Sequence, residues 1–305
     1  MGSSTTVDVG GRTLALSNLQ KVLYPSTSFT KGELIDYYAK VADTILPYLK
    51  DRPVSLKRYP DGVDGEGFFA KNAPAGTPEW VRTVKLPAPG STKNREEVEY
   101  ILVDDLPTLV WLANLAAIEL HVPQWKVGPR GKAHGADLLV FDLDPGAPAS
   151  IVECCQVAQL LRDELAADGL TAYPKTSGSK GMQLYAPIKE IGDEATSGYA
   201  KQLAQRLEER EPELVVSRMR RTLRPCKVLI DCSQNNPAKT TIAPYSVRAR
   251  PAQTVSTPVT WDEVAACSSA TDLRFLTDDV LARIDEHGDL FAPLLAKSRP
   301  KLPKV

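Results

Sequence analysis

Leu138–Gly146 reads LLVFDLDPG: five large apolar residues in the seven positions from Leu138 to Asp144, interrupted by Asp142 and Asp144 and stopped by Pro145 and Gly146. An apolar run this short, closed by two turn residues, predicts a buried strand. Side chains alternate faces along a strand, so Asp142 and Asp144 emerge side by side on one face. Like charges held together in apolar surroundings are costly unless a cation lies between them. Two readings follow: carboxylates at the wet end of the strand that cap the following turn, or ligands for a divalent cation.

Outward from this strand, helices and strands are mixed. Ser150 with Glu153 is a capping box that opens a helix, and Gly169 stands where that helix would stop. Two β-rich runs follow, Thr171–Lys175 and Met182–Pro187, joined by TSGSKG as a tight connection. A helix over 194–210, strands at Lys227–Asp231 and Thr240–Tyr245, and a helix over 277–286 complete this side. On the other side, Thr30 and Glu33 cap a helix over 31–49, Val54–Lys71 reads as strands broken by loops, and Leu106–Leu120 predicts a helix apolar nearly all round and therefore buried. There is no regular βαβα rhythm, which points to an α+β (irregular α/β) fold. Neither a phosphate loop nor G-x-G-x-x-G at a helix start occurs, which disfavours the common nucleotide-binding folds. We expect one domain over residues 1–295 and a basic, proline-containing tail over 296–305.

Composition excludes several classes. Of 305 residues 43% are hydrophobic and 25% charged, which is ordinary globular usage and not that of a disordered chain, a collagen or a coiled coil. No apolar run approaches the roughly 18 residues of a membrane span, and the start lacks a secretory h-region, so no membrane contact and a cytoplasmic location are expected. Five cysteines without C-x-x-C spacing read as reduced thiols, and three histidines make a His-rich metal site a poor fit. Net charge is −1, but between Val215 and Arg250 eight Lys or Arg face a single acid, Asp231. Such a run is either a solvated basic face or a groove for a polyanion.

Asp231 ends the apolar run Val228–Ile230, again at a strand terminus. Three carboxylates suit two Mg²⁺ or Mn²⁺ ions about 4 Å apart, the arrangement used for phosphoryl transfer. Ser177, Gly178, Ser179, Lys180 and Gly181 form either an ordinary polar turn or a phosphate nest of hydroxyls, amides and a cation. Lys239, Arg248 and Arg250 would neutralise a triphosphate. Phe68 and Phe69 beside Lys71 offer stacking faces of the kind that bind single strands, although one of such a pair is expected in the core.

Taken together the chain resembles the polymerase domain of bacterial ligase D, the end-joining branch of the archaeo-eukaryotic primase superfamily. The motifs that carry this, in order, are KVLYP with TK (Lys21–Lys31), KRYPDGVD (Lys57–Asp64), FFAKN (Phe68–Asn72), HVPQW (His121–Trp125), FDLDPG (Phe141–Gly146), TSGSKG (Thr176–Gly181) and IDCSQNNPAKTTIAPYSVRARP (Ile230–Pro251). They span nearly the whole chain. The resemblance implies a primase-like core of mixed or antiparallel central sheets flanked by helices, with Asp142, Asp144 and Asp231 holding two Mn²⁺ or Mg²⁺ ions. It places Ser177, Lys180, Gln183, Lys239 and Arg248 about the incoming nucleotide's triphosphate and His121 near its sugar and phosphates. Lys21 and Lys31 would recognise a 5′-phosphate on the downstream strand, and Phe68 and Phe69, with Lys57 and Lys71 close by, would stack on the template.

The implied activity is template-directed nucleotidyl transfer that fills short gaps or extends ends in DNA repair, favouring ribonucleotides. Its partners would be gapped or broken DNA with a 5′-phosphate, nucleoside triphosphates (NTP or dNTP), a separate DNA ligase and an end-binding protein, since no ligase or nuclease motif follows. Two positions depart from the family pattern. Gln183 stands where a histidine is usual and can donate a hydrogen bond but carry no charge; Cys232 stands where tryptophan is usual. Rival readings are a primase that starts chains de novo and a non-catalytic module that bridges DNA ends.

Overall fold

The computed structural model describes residues 4–87 and 96–303. In chain order, β1 (Ser4–Val9) and β2 (Arg12–Ser17) form a hairpin, β3 (Val22–Tyr24) and β4 (Phe29–Thr30) a second, and α1 (Lys31–Lys40) and α2 (Ala42–Leu49) follow. Next come β5 (Pro53–Arg58), β6 (Phe68–Ala70), β7 (Thr83–Pro87), β8 (Glu97–Leu102), α3 (Leu106–Asn114), β9 (Ala117–Val122), β10 (Trp125–Val127) and β11 (Ala133–Pro145). The remainder is α4 (Ile151–Ala167), β12 (Tyr173–Thr176), β13 (Met182–Ile191), α5 (Asp193–Arg210), β14 (Val215–Val216), β15 (Val228–Asp231), β16 (Thr241–Ile242), α6 (Trp261–Ala266) and α7 (Thr277–His287).

Two six-stranded sheets organise these elements: β12-β13-β11-β15-β14 with β10 paired to β11, and β16-β9-β5-β8-β7 with β6 paired to β5. All pairs are antiparallel except β14 with β15. The architecture is the α+β one the sequence predicts. Strand period two sorts the side chains of β11 between two cores. Leu139, Phe141 and Leu143 pack with Val157, Leu161, Ala204 and Leu207 of α4 and α5. Leu138 and Val140 join the core that contains the second sheet. Asp142 and Asp144 continue the even face, so they lie on the side that looks toward the second sheet.

The structure corrects three expectations. The helix expected over 31–49 is two helices, because Val41 leaves helical geometry (φ −87°, ψ 1°); Pro47 lies inside α2, beyond the break. The apolar positions repeat straight through that break, so periodicity alone could not reveal it. The helix expected over Leu106–Leu120 ends at Asn114; Ala116 turns the chain with φ +54°, and Ala117–Val122 is β9. A run buried on every side gives no periodicity with which to separate the two states. Of the strand expected at Thr240–Tyr245 only Thr241–Ile242 pairs, and Tyr245 has φ +65°. The capping boxes at Thr30/Glu33 and Ser150/Glu153 are both formed. The C-terminal segment packs back on the body: Arg299 Nη1 donates to Asp137, the Lys189 N–H to Pro300 O, and Leu302 is buried. Lys304 and Val305, the last residues of the expected tail, lie outside the described residues.

Candidate active site

Register places the acidic residues. On β11 and β15 Asp142 stands directly opposite Asp231, with Asp144 two residues along on the same face. Asp142 also pairs with Gln183 of β13, and Gln183 with Lys175 of β12, so Lys175, Gln183, Asp142 and Asp231 form one rung across four strands. Gln183 Nε2 donates to Asp142 Oδ1 at 3.0 Å. Asp231 is buried, and its carboxylate accepts from the Ser233 N–H at 2.9 Å and Gln234 Nε2 at 3.0 Å. Burial, then repulsion from Asp144, pushes the Asp142 pKa up to about 7; burial and Asp231 raise that of Asp144.

Among the described residues no three acidic, imidazole or thiol side chains are already gathered as a coordination cage, since Asp231 is turned to its own loop. The donor chemistry nevertheless fits a hard divalent cation. Three carboxylates stand on adjacent strands, and the raised pKa values of two of them record a repulsion that a cation would relieve.

A cationic rim surrounds the acids. Arg224, Lys180 and Arg248 each act on Asp144 by opposite charge. Lys180 belongs to the β12–β13 turn, where the Ser177 Oγ accepts from the N–H groups of Ser179 and Gly181, both at 3.2 Å. The Ser177 hydroxyl proton has no acceptor among the described residues. Two glycines let this turn lie close: Gly178 has φ +66° and a Cβ there would reach 2.6 Å from Arg248 Cγ, and one on Gly181 would reach 2.1 Å from Leu143 O.

Behind Arg248 lies Glu119, a residue sequence reasoning missed. Its Oε1 is 3.3 Å from Arg248 Nε and accepts from the Ala249 N–H at 3.0 Å, while Oε2 takes a 2.8 Å hydrogen bond from His121 Nε2. Burial raises its pKa, but the His121 bond and Arg248 outweigh this and hold it at about 2. Burial lowers the basicity of His121, so near neutral pH the contact is a hydrogen bond from a neutral imidazole. The signal is in the sequence, since Glu119 and His121 are two apart, one face of a strand, but the apolar run around them predicts a helix.

Phe69 packs edge-on to His121 at 5.4 Å. Lys57 lies opposite both Glu119 and Phe69 in the β5 pairings, with Nζ 5.8 Å from the Phe69 ring, and Arg58 sits 5.4 Å over Phe68. Neither phenylalanine is core: Phe68 is 44% and Phe69 54% exposed, which corrects the expectation that one of them is buried. Gln183, expected beside the triphosphate, is buried next to Asp142 on the neighbouring strand, with Nε2 on the Asp142 carboxylate. Lys239 and Lys71 stand on exposed positions, and no contact among the described residues joins their ammonium groups to this cluster.

Lys21 and Lys31 form a separate patch. The backbone N–H of Lys31 donates to Lys21 O at 2.8 Å; Lys21 Nζ pairs with the exposed Asp61 at 2.7 Å, and Lys31 Nζ reaches Ser17 Oγ at 3.3 Å. Burial and then Lys21 lower the Lys31 basicity, leaving an ammonium that an anion would stabilise. The chain between the two lysines is stitched to the Arg248 segment through Tyr24 to Arg248 O at 2.8 Å and Thr27 to Gln253 at 2.8 Å.

Residues 30–291 match the family model described as LigD, primase-polymerase domain. The chain belongs to the LigD primase-polymerase family. It is 43% identical over 280 residues to the multifunctional non-homologous end joining protein LigD of Mycolicibacterium smegmatis, covering 92% of this chain and 36% of that protein. With the bifunctional non-homologous end joining protein LigD of Bacillus subtilis it shares 36% over 277 residues, 90% of this chain and 43% of that one. It thus spans less than half the length of these LigD relatives. A solved structure, the polymerase domain from Mycobacterium tuberculosis ligase D in complex with DNA, superposes with a TM-score of 0.87 at 40% identity, covering 93% of this chain and 99% of that one. No helix among the described residues is long and apolar enough to cross a membrane.

Proposed function

We propose that the chain is a template-directed nucleotidyltransferase that fills short gaps or extends ends in DNA, using the Asp142, Asp144 and Asp231 carboxylates to hold two Mg²⁺ or Mn²⁺ ions. The observation that carries this reading is the opposition of Asp142 and Asp231 on neighbouring strands, with Asp144 beside them and Lys180, Arg224 and Arg248 on the rim. The three carboxylates would hold these ions, whose chemistry when bound would be to activate a primer 3′-hydroxyl and to neutralise charge that develops on the phosphates. The chain's own residues do the rest. Lys180 and Arg248 stabilise the departing pyrophosphate, and the Ser177 hydroxyl donates to a phosphate oxygen. Glu119 keeps Arg248 and His121 fixed, so these groups need no reorganisation when the nucleotide arrives.

Phe68 and Phe69, exposed and flanked by Arg58 and Lys57, are stacking faces for template bases. Lys21 and Lys31 take the 5′-phosphate across a gap. A ribonucleotide preference, a preference for Mn²⁺, and a pathway shared with a DNA ligase and an end-binding protein belong to the same proposal, supported by family membership and by the end-joining names of the relatives. Gap filling on a labelled primer tests it, with ribo- against deoxyribonucleotides, Mn²⁺ against Mg²⁺, and a downstream strand with or without 5′-phosphate. Filling that favours ribonucleotides and needs the 5′-phosphate is the expected result. Synthesis on unprimed template alone would favour the primase reading, and DNA binding without incorporation under either metal would overturn catalysis.

A further inference from the structure

Lys175 is completely buried, with 0% of its surface exposed, on the rung that carries Gln183, Asp142 and Asp231. Its Nζ lies 2.7 Å from Gln183 Oε1 and 2.5 Å from Ser256 Oγ. The Ser256 hydroxyl spends its own proton on Thr176 O at 2.8 Å, so Nζ is the donor toward Ser256. On the far side of Gln183, the Asp142 carboxylate accepts from Nε2 at 3.0 Å. The amide is therefore read from both ends. Turning it over would set its NH₂ group against the lysine donor and its carbonyl oxygen against the carboxylate, replacing two hydrogen bonds with two repulsive contacts.

We propose that Lys175 is a positioning residue for the aspartate site: by fixing the Gln183 amide it holds Asp142 Oδ1 and leaves Oδ2 for a divalent cation. This rests on the metal reading of the three aspartates and deepens it. It also assigns Gln183 a task other than gripping the triphosphate. A glutamine has two nearly isosteric ends, and a fixed external donor is what selects between them. Outer partners that orient a metal ligand in this way typically cost about 10–100-fold in metal affinity when removed.

The test measures Mn²⁺ binding to the full chain, without DNA or nucleotide, from the electron paramagnetic resonance signal of free Mn²⁺. Lys175→Met should weaken binding by about ten-fold, and Lys175→Met/Gln183→Leu should bind no more weakly than Gln183→Leu alone, because both changes cut one relay. In primer extension the Mn²⁺ concentration for half-maximal rate should rise in step, with primer–template affinity unchanged. Ser256→Ala, which leaves the Lys175–Gln183 bond, should stay near the parent. A folded Lys175→Met with parental Mn²⁺ affinity, or losses that add in the double variant, overturns the proposal. Where Lys175→Met does not fold, Gln183→Met cuts the relay from its other end, and parental affinity in that protein refutes it equally. A parent that binds no Mn²⁺ overturns the metal reading as well, and is distinguished because it fails before any substitution is made.

Discussion

Replacing Asp142 with asparagine should stabilise the metal-free protein while removing its activity. Asparagine keeps the shape of the side chain and the oxygen that accepts from Gln183 Nε2, but not the charge. Burial and Asp144 lift the pKa of Asp142 to about 7 from an ordinary 3.8. An acid raised in the folded state is neutral in both states below the unfolded value, costs stability increasingly as pH climbs between the two values, and costs it fully above the folded one. A shift of this size corresponds to about 4 kcal/mol at about 1.4 kcal/mol per unit, and solvent at the partly exposed edge of the side chain reduces the expectation to about 2–4 kcal/mol at pH 8. Urea unfolding in a chelator, followed by circular dichroism, should show Asp142→Asn more stable than the parent by that amount at pH 8, with the gain falling below about 1 kcal/mol near pH 4. Added Mn²⁺ should narrow the difference by stabilising the parent. A variant no more stable at pH 8, or equally favoured at both pH values, would refute the picture of buried, mutually repelling carboxylates.

Three further outcomes follow from named contacts. Glu119, held at about 2 against an ordinary 4.5, contributes stability that is complete above the unfolded value and is lost as pH falls toward the folded one; between pH 6 and pH 3 the parent should lose roughly 2 kcal/mol more unfolding free energy than Glu119→Gln. Lys31→Met removes a buried ammonium and should leave thermal stability equal or higher, while fluorescence anisotropy shows the preference for 5′-phosphorylated over unphosphorylated gaps abolished. Phe68→Ala and Phe69→Ala should each weaken binding to gapped DNA by about 1–3 kcal/mol in the same assay, without lowering the melting temperature, because both rings are exposed.

The aspartate site was legible in the sequence because two rules of strand geometry suffice for it. Residues two apart share a face, which pairs Asp142 with Asp144, and Asp231 stands out as the single acid at an apolar strand's end within a basic run. The pairing that brings Asp231 opposite Asp142 is long-range and leaves no local trace. Glu119 was hidden for a different reason: a run buried on all sides looks alike as helix or strand, and the positive φ at Ala116 that separates α3 from β9 falls on an alanine, where no turn residue advertises it. Lys175 was not singled out either. A lysine in a short β-like run reads as a solvent-facing position, and only the register across β12, β13 and β11 shows that its face is the closed one. The exposure of both Phe68 and Phe69 depends on β6 being a short branch of its sheet that pairs with β5 alone, which is again a tertiary fact.

The most direct test of the account is single-turnover extension of a labelled primer on gapped DNA with Mn²⁺, comparing the parent with Asp231→Asn after both are shown to bind that DNA equally. The account predicts extension by the parent and a loss of at least about a thousand-fold in the variant. Comparable extension by the two proteins would contradict it, since the three facing carboxylates of β11 and β15 would then not be where the chemistry happens.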